Sequence, residues 1–185
     1  AALPPLPAVP SNQVADDVGA AALGRQLFND VRLSGDGAVA CATCHVPALA
    51  FTDGKPLATG MGQLDRQSMS LVGAAWSMWF TWDGKADSQW SQALLPLENP
   101  AEQGITRTGV AHVVADAYAD EYIALFGPLP PLADTVRFPP NASPAGDAAA
   151  RQAWVQMTPD DQAAVNRVFA NAGKALEAYQ RTIPV

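Results

Sequence analysis

The chain has 185 residues, of which 49% are hydrophobic and 16% are charged. This balance predicts a folded globular chain with a substantial core and excludes an intrinsically disordered one. Lys and Arg number 11 against 18 Asp and Glu, which gives a formal net charge of −7. Because an acidic surface repels phosphate backbones, nucleic acid is not an expected partner.

The sequence carries no sign of a membrane segment. No apolar run approaches the roughly 20 residues that a membrane-spanning helix needs, so we expect no membrane span. The chain does not open with a charged segment followed by an apolar one, so we expect no signal peptide. Its first residues, Ala1-Ala2, fit a mature N-terminus left by cleavage after small residues.

The first half of the chain combines a proline-rich start with one clear helix. Four prolines in the first ten residues predict an extended arm over 1–14, ahead of a single domain over 15–185. Helical spacing predicts a helix over 15–29, with an apolar face formed by Val18, Ala22, Leu23 and Leu27. Gly and Asp over 34–37 predict a turn, and 50–73 reads as a long ordered loop.

The second half predicts further helices separated by loops. Five aromatic residues lie within fifteen positions: Trp76, Trp79, Phe80, Trp82 and Trp90. Core packing is the simplest role for most of the tryptophans. One helix is predicted from a cap at Asp87 or Ser88 to just before Pro96, and another from a cap at Thr106 or Thr108 to Gly127. An irregular proline-rich stretch over 128–144 precedes the final helix, which Thr158 caps. No alternating strand pattern appears, so the chain is predicted to be mainly α with long loops.

The two cysteines stand in the segment Cys41-Ala-Thr-Cys44-His45. Two thiols at this spacing can add to the two vinyl groups of one haem, and the adjacent imidazole can bind its iron. A thioredoxin-like redox pair would need a βαβ context, and a zinc site would need four ligands although His112 is the only other histidine. Two buried cysteines beside a surface histidine are the plainest alternative. We favour one covalent haem c, which implies maturation outside the cytoplasm and a periplasmic location.

Several further motifs, in the same order along the chain, resemble the bacterial di-haem cytochrome c peroxidase family, which includes the MauG-type enzymes. They are Leu23–Phe28, Arg32–Gly37, Phe51–Gly54, Trp82–Lys85, Gln92 with Pro96-Leu97, Glu102, and Ala178–Thr182. The resemblance implies a mainly α, cytochrome c-type haem domain of the N-terminal, peroxidatic kind, with long loops wrapping the haem.

The resemblance also implies roles for individual residues. His45 would be the proximal iron ligand, Gln92 and Glu102 would lie on the distal side, and Trp82 would lie on an electron path between two haems. The implied function is the reduction of hydrogen peroxide or a related haem-dependent oxidation. The electron partner would be a second haem domain or a small redox protein.

The sequence departs from the family pattern at four places. Only one haem motif is present where the family has two, and Arg66-Gln67 replaces an Arg-Asn pair whose Asn helps to bind calcium, which argues against calcium. Glu102-Gln103-Gly104 replaces Glu-Met-Gly, and Met61 stands where a loop histidine is common.

A methionine at position 61 suggests a second function, a monohaem electron-transfer cytochrome with His45 and a methionine as axial ligands. Met61 is the leading candidate because glycines flank it. Met69, Met78, Met157, His112 or a water are the alternatives for the sixth position of the iron.

Overall fold

The computed structural model describes residues 3–185, so Ala1-Ala2 lies outside the described residues. The described chain is mainly α, as predicted, and contains seven α-helices: α1 (Val18–Asn29), α2 (Cys41–Cys44), α3 (Gln89–Glu98), α4 (Arg107–Ala117), α5 (Ala119–Phe126), α6 (Ala148–Gln156) and α7 (Pro159–Gln180). Residues 3–185 form no β-strand and only three isolated bridges, Val46–Thr52, Thr59–Gln63 and Phe80–Ala86. No helix in the described part is long and apolar enough to cross a membrane.

The core is built around α7, the longest helix, which packs against α1, α3 and α4. Its N-terminus is capped as predicted, since the Thr158 hydroxyl accepts a hydrogen bond from the Asp161 amide. One face of α7 is apolar and buried through Val165, Val168, Phe169, Ala172 and Leu176, and Tyr179 at its end is half-buried. Burying such a stripe against three helices stabilises α7 far more than its intrinsic propensity does.

Helix α1 crosses α7 at very close range. A Cβ on Gly24 would lie 1.9 Å from the carbonyl oxygen of Ala175, so only glycine permits this approach. The predicted apolar face of α1 is partly wrong, because Val18 and Ala22 are exposed. The buried face is rotated toward Ala20, Leu23, Gly24, Leu27 and Phe28, which follows from the position of α7.

Helix α1 starts at Val18, three residues later than predicted, and three later parts of the chain also differ from the prediction. Helix α3 starts after Ser88 but continues through Pro96 to Glu98. The segment after Thr106 forms two helices, not one, since the chain breaks at Tyr118 between α4 and α5. Helix α6 was not predicted, and the Asp147 side chain caps it by accepting from the Ala150 amide.

The tryptophans are less buried than core packing would require. Trp154 is buried, but Trp79 and Trp82 are 66% and 52% exposed, so the predicted core role is wrong for these two. The indole nitrogens of Trp76 and Trp90 instead donate to the N-terminal segment, at the Pro4 carbonyl and the Ser11 hydroxyl. How the chain divides into an arm over 1–14 and a domain over 15–185 stays a prediction.

Candidate functional site

A cleft of about 530 Å³ opens between the long loop and α3. Its walls include five of the residues singled out in the sequence: Cys44, His45, Trp82, Gln92 and Glu102. A smaller inner pocket adjoins it, shares Cys44, His45, Gln92 and Glu102, and adds Cys41. The fold therefore brings together six of the seven predicted site residues, which are separated by up to 61 positions in the sequence.

The two cysteines occupy the ends of the single-turn helix α2, and both are free thiols. The Cys41 thiol donates to Gln103 Oε1 over 3.7 Å, and the Cys44 thiol donates to the Thr59 carbonyl oxygen over 3.6 Å. Burial raises the pKa of Cys41 to about 12 and that of Cys44 in the same direction. Both sulfurs therefore carry their protons at neutral pH and stay separate on the wall of the inner pocket.

The His45 ring is held in one orientation. Its Nδ1 lies 2.9 Å from the carbonyl oxygen of Phe51, which has left-handed backbone (φ 57°), and the buried Phe28 ring lies 6.4 Å from it between centroids. Because a carbonyl oxygen only accepts, Nδ1 carries the proton in the neutral ring and Nε2 keeps its lone pair. Burial lowers the pKa of His45, which favours this neutral form. A histidine so fixed is suited to bind a metal through Nε2.

Glu102 lies on the cleft wall in a half-buried position. Its Oε1 accepts a hydrogen bond from Asn99 Nδ2 over 2.7 Å. Burial raises the pKa of the Glu102 carboxyl, and the Asn99 hydrogen bond and the charge of Lys85 offset only part of this rise. A carboxyl with a raised pKa can both take up and return a proton, which is the property required of an acid–base group. Gln92 on α3 lines the same cleft.

A short glycine loop fixes the backbone of Glu102. The Met61 amide donates to the Glu102 carbonyl oxygen and the Gly62 amide to that of Ala101, both over 2.9 Å. A Cβ on Gly60 would lie 2.5 Å from the Glu102 carbonyl oxygen, so the two segments touch there without room for a side chain.

The Met61 side chain does not line the cleft or the inner pocket. Its sulfur lies 2.9 Å from where a Cβ on Gly104 would stand, and its methyl group lies 3.5 Å from the corresponding position on Gly35. The glycines around Met61 thus bring its loop against the segment that carries Glu102. The ligation of iron by Met61 stays a prediction that this geometry does not favour.

The alternative ligands lie in different places. Met69 lines the same cleft as His45. Met78 is 77% exposed, and Met157 is buried in the core. His112 Nε2 donates to the Phe138 carbonyl oxygen over 2.8 Å. None of these last three lines the cleft.

Trp82 connects the cleft with the surface. Its indole nitrogen donates to the Gln67 carbonyl oxygen over 3.3 Å. The side chain lines both the cleft and an open neighbouring groove of about 710 Å³. An aromatic ring that touches the cleft on one side and solvent on the other is available to a partner.

The sequence model of the family described as di-haem cytochrome c peroxidase matches residues 19–185. The chain belongs to this family. The family name implies haem c as the cofactor, in agreement with the sequence analysis.

Curated relatives of the di-haem cytochrome c peroxidase family share parts of the chain. The methylamine utilization protein MauG of Methylorubrum extorquens is 45% identical over 87 residues, which cover 46% of this chain and 25% of that protein. The cytochrome-c peroxidase IdrP1 of Pseudomonas sp. (strain SCT) is 34% identical over 136 residues, which cover 69% of this chain and 34% of that protein. The chain thus spans a quarter to a third of the length of these relatives.

Solved structures of di-haem peroxidases share the fold. A MauG-like protein associated with microbial copper homeostasis superposes with a TM-score of 0.64 at 26% identity, covering 99% of this chain and 45% of that one. The diheme peroxidase BthA from Burkholderia thailandensis E264 has the same TM-score at 20% identity, covering 90% and 39%. The second likeness shows the fold alone. Together they confirm the mainly α, cytochrome c-type haem domain.

The residues present fit a haem c. Two protonated thiols one helical turn apart and an oriented neutral imidazole face one cavity, which are the groups that covalent haem attachment uses. Among residues 3–185 no cluster of three or more His, Cys, Asp or Glu could hold a metal ion. The presence of one haem and the lack of calcium stay predictions.

Asn99 lies beside Glu102 and was not among the predicted site residues. Its signal was the Asn99-Pro100 pair, a common start of turns. Asn99 Oδ1 accepts from the Ala101 amide over 3.0 Å, so one side chain forms the turn with its oxygen and holds Glu102 with its nitrogen.

Proposed function

We propose that this chain is the peroxidatic haem domain of a di-haem cytochrome c peroxidase-type enzyme and reduces hydrogen peroxide or carries out a related haem-dependent oxidation. The observation that carries the proposal is the convergence of His45, Gln92 and Glu102 on one cleft beside both cysteines. The family membership supports the cofactor, and the positions of these side chains support the chemistry.

Cys41 and Cys44 would hold one haem c covalently, and His45 Nε2 would bind its iron. When bound, the haem supplies an iron that coordinates peroxide and passes electrons to it. The hydrogen bond from Nδ1 to Phe51 keeps the imidazole plane fixed, so His45 cannot rotate away from its ligand position.

Glu102 would move the proton of the bound substrate. Its carboxylate would accept a proton from one oxygen of hydrogen peroxide and return it to the other, which could leave as water when the haem supplies the two electrons that break the O–O bond. Gln92 would hold the peroxide through its amide, in the geometry that this transfer needs. Asn99 keeps the Glu102 carboxylate in place between the two events.

Trp82 would carry electrons from a partner to the cleft, because it lines both the cleft and the solvent-open groove beside it. Trp79 lines the same cleft and is also exposed, so the two tryptophans offer an apolar contact surface. The partner would be a second haem domain or a small redox protein. Covalent haem attachment supports a periplasmic location.

The first test is haem attachment. Replacing both cysteines by Ala should abolish covalent haem, and acid–solvent extraction of the denatured wild-type protein should leave its colour in the protein. Colour that moves into the solvent would contradict the cofactor proposal.

The second test is the reaction with peroxide. Glu102→Gln should slow the change in haem absorbance after mixing with hydrogen peroxide by about 10²–10⁴-fold, the usual contribution of acid–base assistance. Gln92→Ala should cost less, because it removes orientation and leaves the proton acceptor. Glu121→Gln, an exposed glutamate on α5, is the matched control. Equal rates for the wild type and Glu102→Gln would contradict peroxidase chemistry and favour the electron-transfer cytochrome.

A further inference from the structure

Two buried glutamines meet at the wall of the cleft. Gln89 is the first residue of α3 and Gln180 the last of α7, and they are only 3% and 6% exposed. Gln89 Nε2 donates to Gln180 Oε1 over 2.8 Å. Both side chains line the cleft, and Gln180 also reaches the inner pocket.

This pairing leaves one end of each amide without a partner. Gln180 Nε2 makes no hydrogen bond within residues 3–185, although the rest of the side chain is buried. In residues 3–185, Asp53 Oδ2 is the only side-chain nitrogen or oxygen that is both inaccessible to solvent and without a hydrogen-bond partner. Gln180 Nε2 has no partner, so it must be accessible to solvent. Gln180 Nε2 therefore opens onto the cleft, with its orientation set by Gln89.

A donor in this position needs an acceptor once a ligand has displaced water from the cleft. A haem is apolar around most of its edge and carries two carboxylate side chains, which are strong hydrogen-bond acceptors. These lie on the edge opposite the vinyl groups that the cysteines would hold. Gln180 lines the inner pocket and the outer cleft, whereas Gln89 lines only the outer cleft, so the amide pair reaches from the pocket that contains Cys41 into the outer cleft.

We propose that Gln180 Nε2 donates a hydrogen bond to a carboxylate of the haem and that Gln89 is the residue that orients it. The inference rests on the proposed haem site. The bond draws negative charge away from the haem and so raises the midpoint potential of the iron. Gln89 and Gln180 are then positioning residues for the cofactor and take no part in proton transfer.

The experiment compares holoproteins carrying Gln180→Leu and Gln89→Leu with the wild type. Resonance Raman spectroscopy should show a shifted bending mode of the haem carboxylate in Gln180→Leu, and spectroelectrochemistry should show a lower midpoint potential. Gln89→Leu should change both in the same direction by less, because the donor remains but loses its orientation. Gln152→Leu, on the exposed face of α6, should change neither.

A second variant covers the case in which Gln180→Leu does not fold. Gln180→Glu keeps the volume and still accepts from Gln89, but it places an oxygen where the donor stood. It should shift the same Raman mode and lower the potential. An unchanged mode and potential in a haem-loaded Gln180 variant would overturn the inference. Failure of the wild type to attach haem would instead overturn the proposed function, so the two failures are distinguishable.

Discussion

The amide nitrogen of Asn99 lies 2.7 Å from Glu102 Oε1 and holds this half-buried carboxyl against the cleft wall. Burial alone raises the pKa of Glu102, and the hydrogen bond counteracts this because it stabilises the charged form. Asn99 therefore sets the pH range in which Glu102 is a carboxylate and can accept a proton.

Asn99→Ala should shift the pH dependence of the peroxide reaction. Without the donor, the pKa of Glu102 rises further, so the rate should reach its plateau at a higher pH than in the wild type. Stopped-flow rates measured across the pH range would show the shift. Asn99→Asp keeps the oxygen that accepts from Ala101 but sets a second carboxylate against Glu102, and it should shift the profile further. Asn29→Ala, on the exposed face of α1, is the control, and coincident profiles would contradict the role.

The two glycines around Met61 form a matched pair. A Cβ on Gly60 would lie 2.5 Å from the Glu102 carbonyl oxygen, whereas the nearest atom to a Cβ on Gly62 would be 3.7 Å away. Gly60→Ala must displace the backbone that carries Glu102. We expect a loss of about 1–3 kcal/mol in the free energy of unfolding, as for other overpacked sites. We also expect a fall of about 100-fold in the peroxide rate, because small displacements of catalytic groups are costly.

Gly62→Ala should leave both quantities near the wild-type values, since the added methyl group meets only ordinary contacts. Thermal unfolding and stopped-flow measurements on the same preparations check this pair. Equal effects of the two substitutions would show that the contact between Gly60 and Glu102 does not position the carboxyl.

Met61→Ala separates the two functions considered for this chain. The Met61 sulfur packs toward Gly104 and not into the cleft, so removing it should leave the spin state of the ferric haem unchanged. Absorption spectra of both haem-loaded proteins provide the measurement. A change from a low-spin to a high-spin spectrum would identify Met61 as the sixth ligand and favour the electron-transfer cytochrome. Met78→Ala, an exposed methionine, is the control.

The sequence predicted what local chemistry determines. The haem motif and the cap at Thr158 depend on residues close together in the chain, and the cap is present in the structure. The break at Tyr118 was not predicted, and this residue is held by a distant contact: the Tyr118 hydroxyl donates to Asp30 Oδ2 over 2.7 Å, 88 residues away. The pairing of Gln89 with Gln180 likewise depends on how α3 meets α7, which no local pattern encodes.

Helix α3 continues past Pro96, where the local rule for proline predicts that it ends. Proline removes one hydrogen bond from a helix interior, which predicts that the helix ends before Pro96. The helix continues for two more residues because its neighbours Ala93 and Leu97 are buried in the core. Packing against α7 outweighs the missing bond.

The ion pair between Arg137 and Asp161 makes stability depend on pH. Arg137 Nη2 lies 2.6 Å from Asp161 Oδ1, and its hydrogen bond holds the pKa of Asp161 below the usual aspartate value. A carboxyl whose pKa is lower in the folded state stabilises the fold above its unfolded pKa, about 3.9. That contribution is lost as the pH falls through the folded pKa.

Asp161→Asn should therefore lower the melting temperature at pH 7 and change it much less near pH 3. Asp160→Asn, an exposed neighbour in the same turn, should have a smaller effect at pH 7. Equal melting-temperature losses for Asp161→Asn at both pH values would show that the loss does not come from the charged pair.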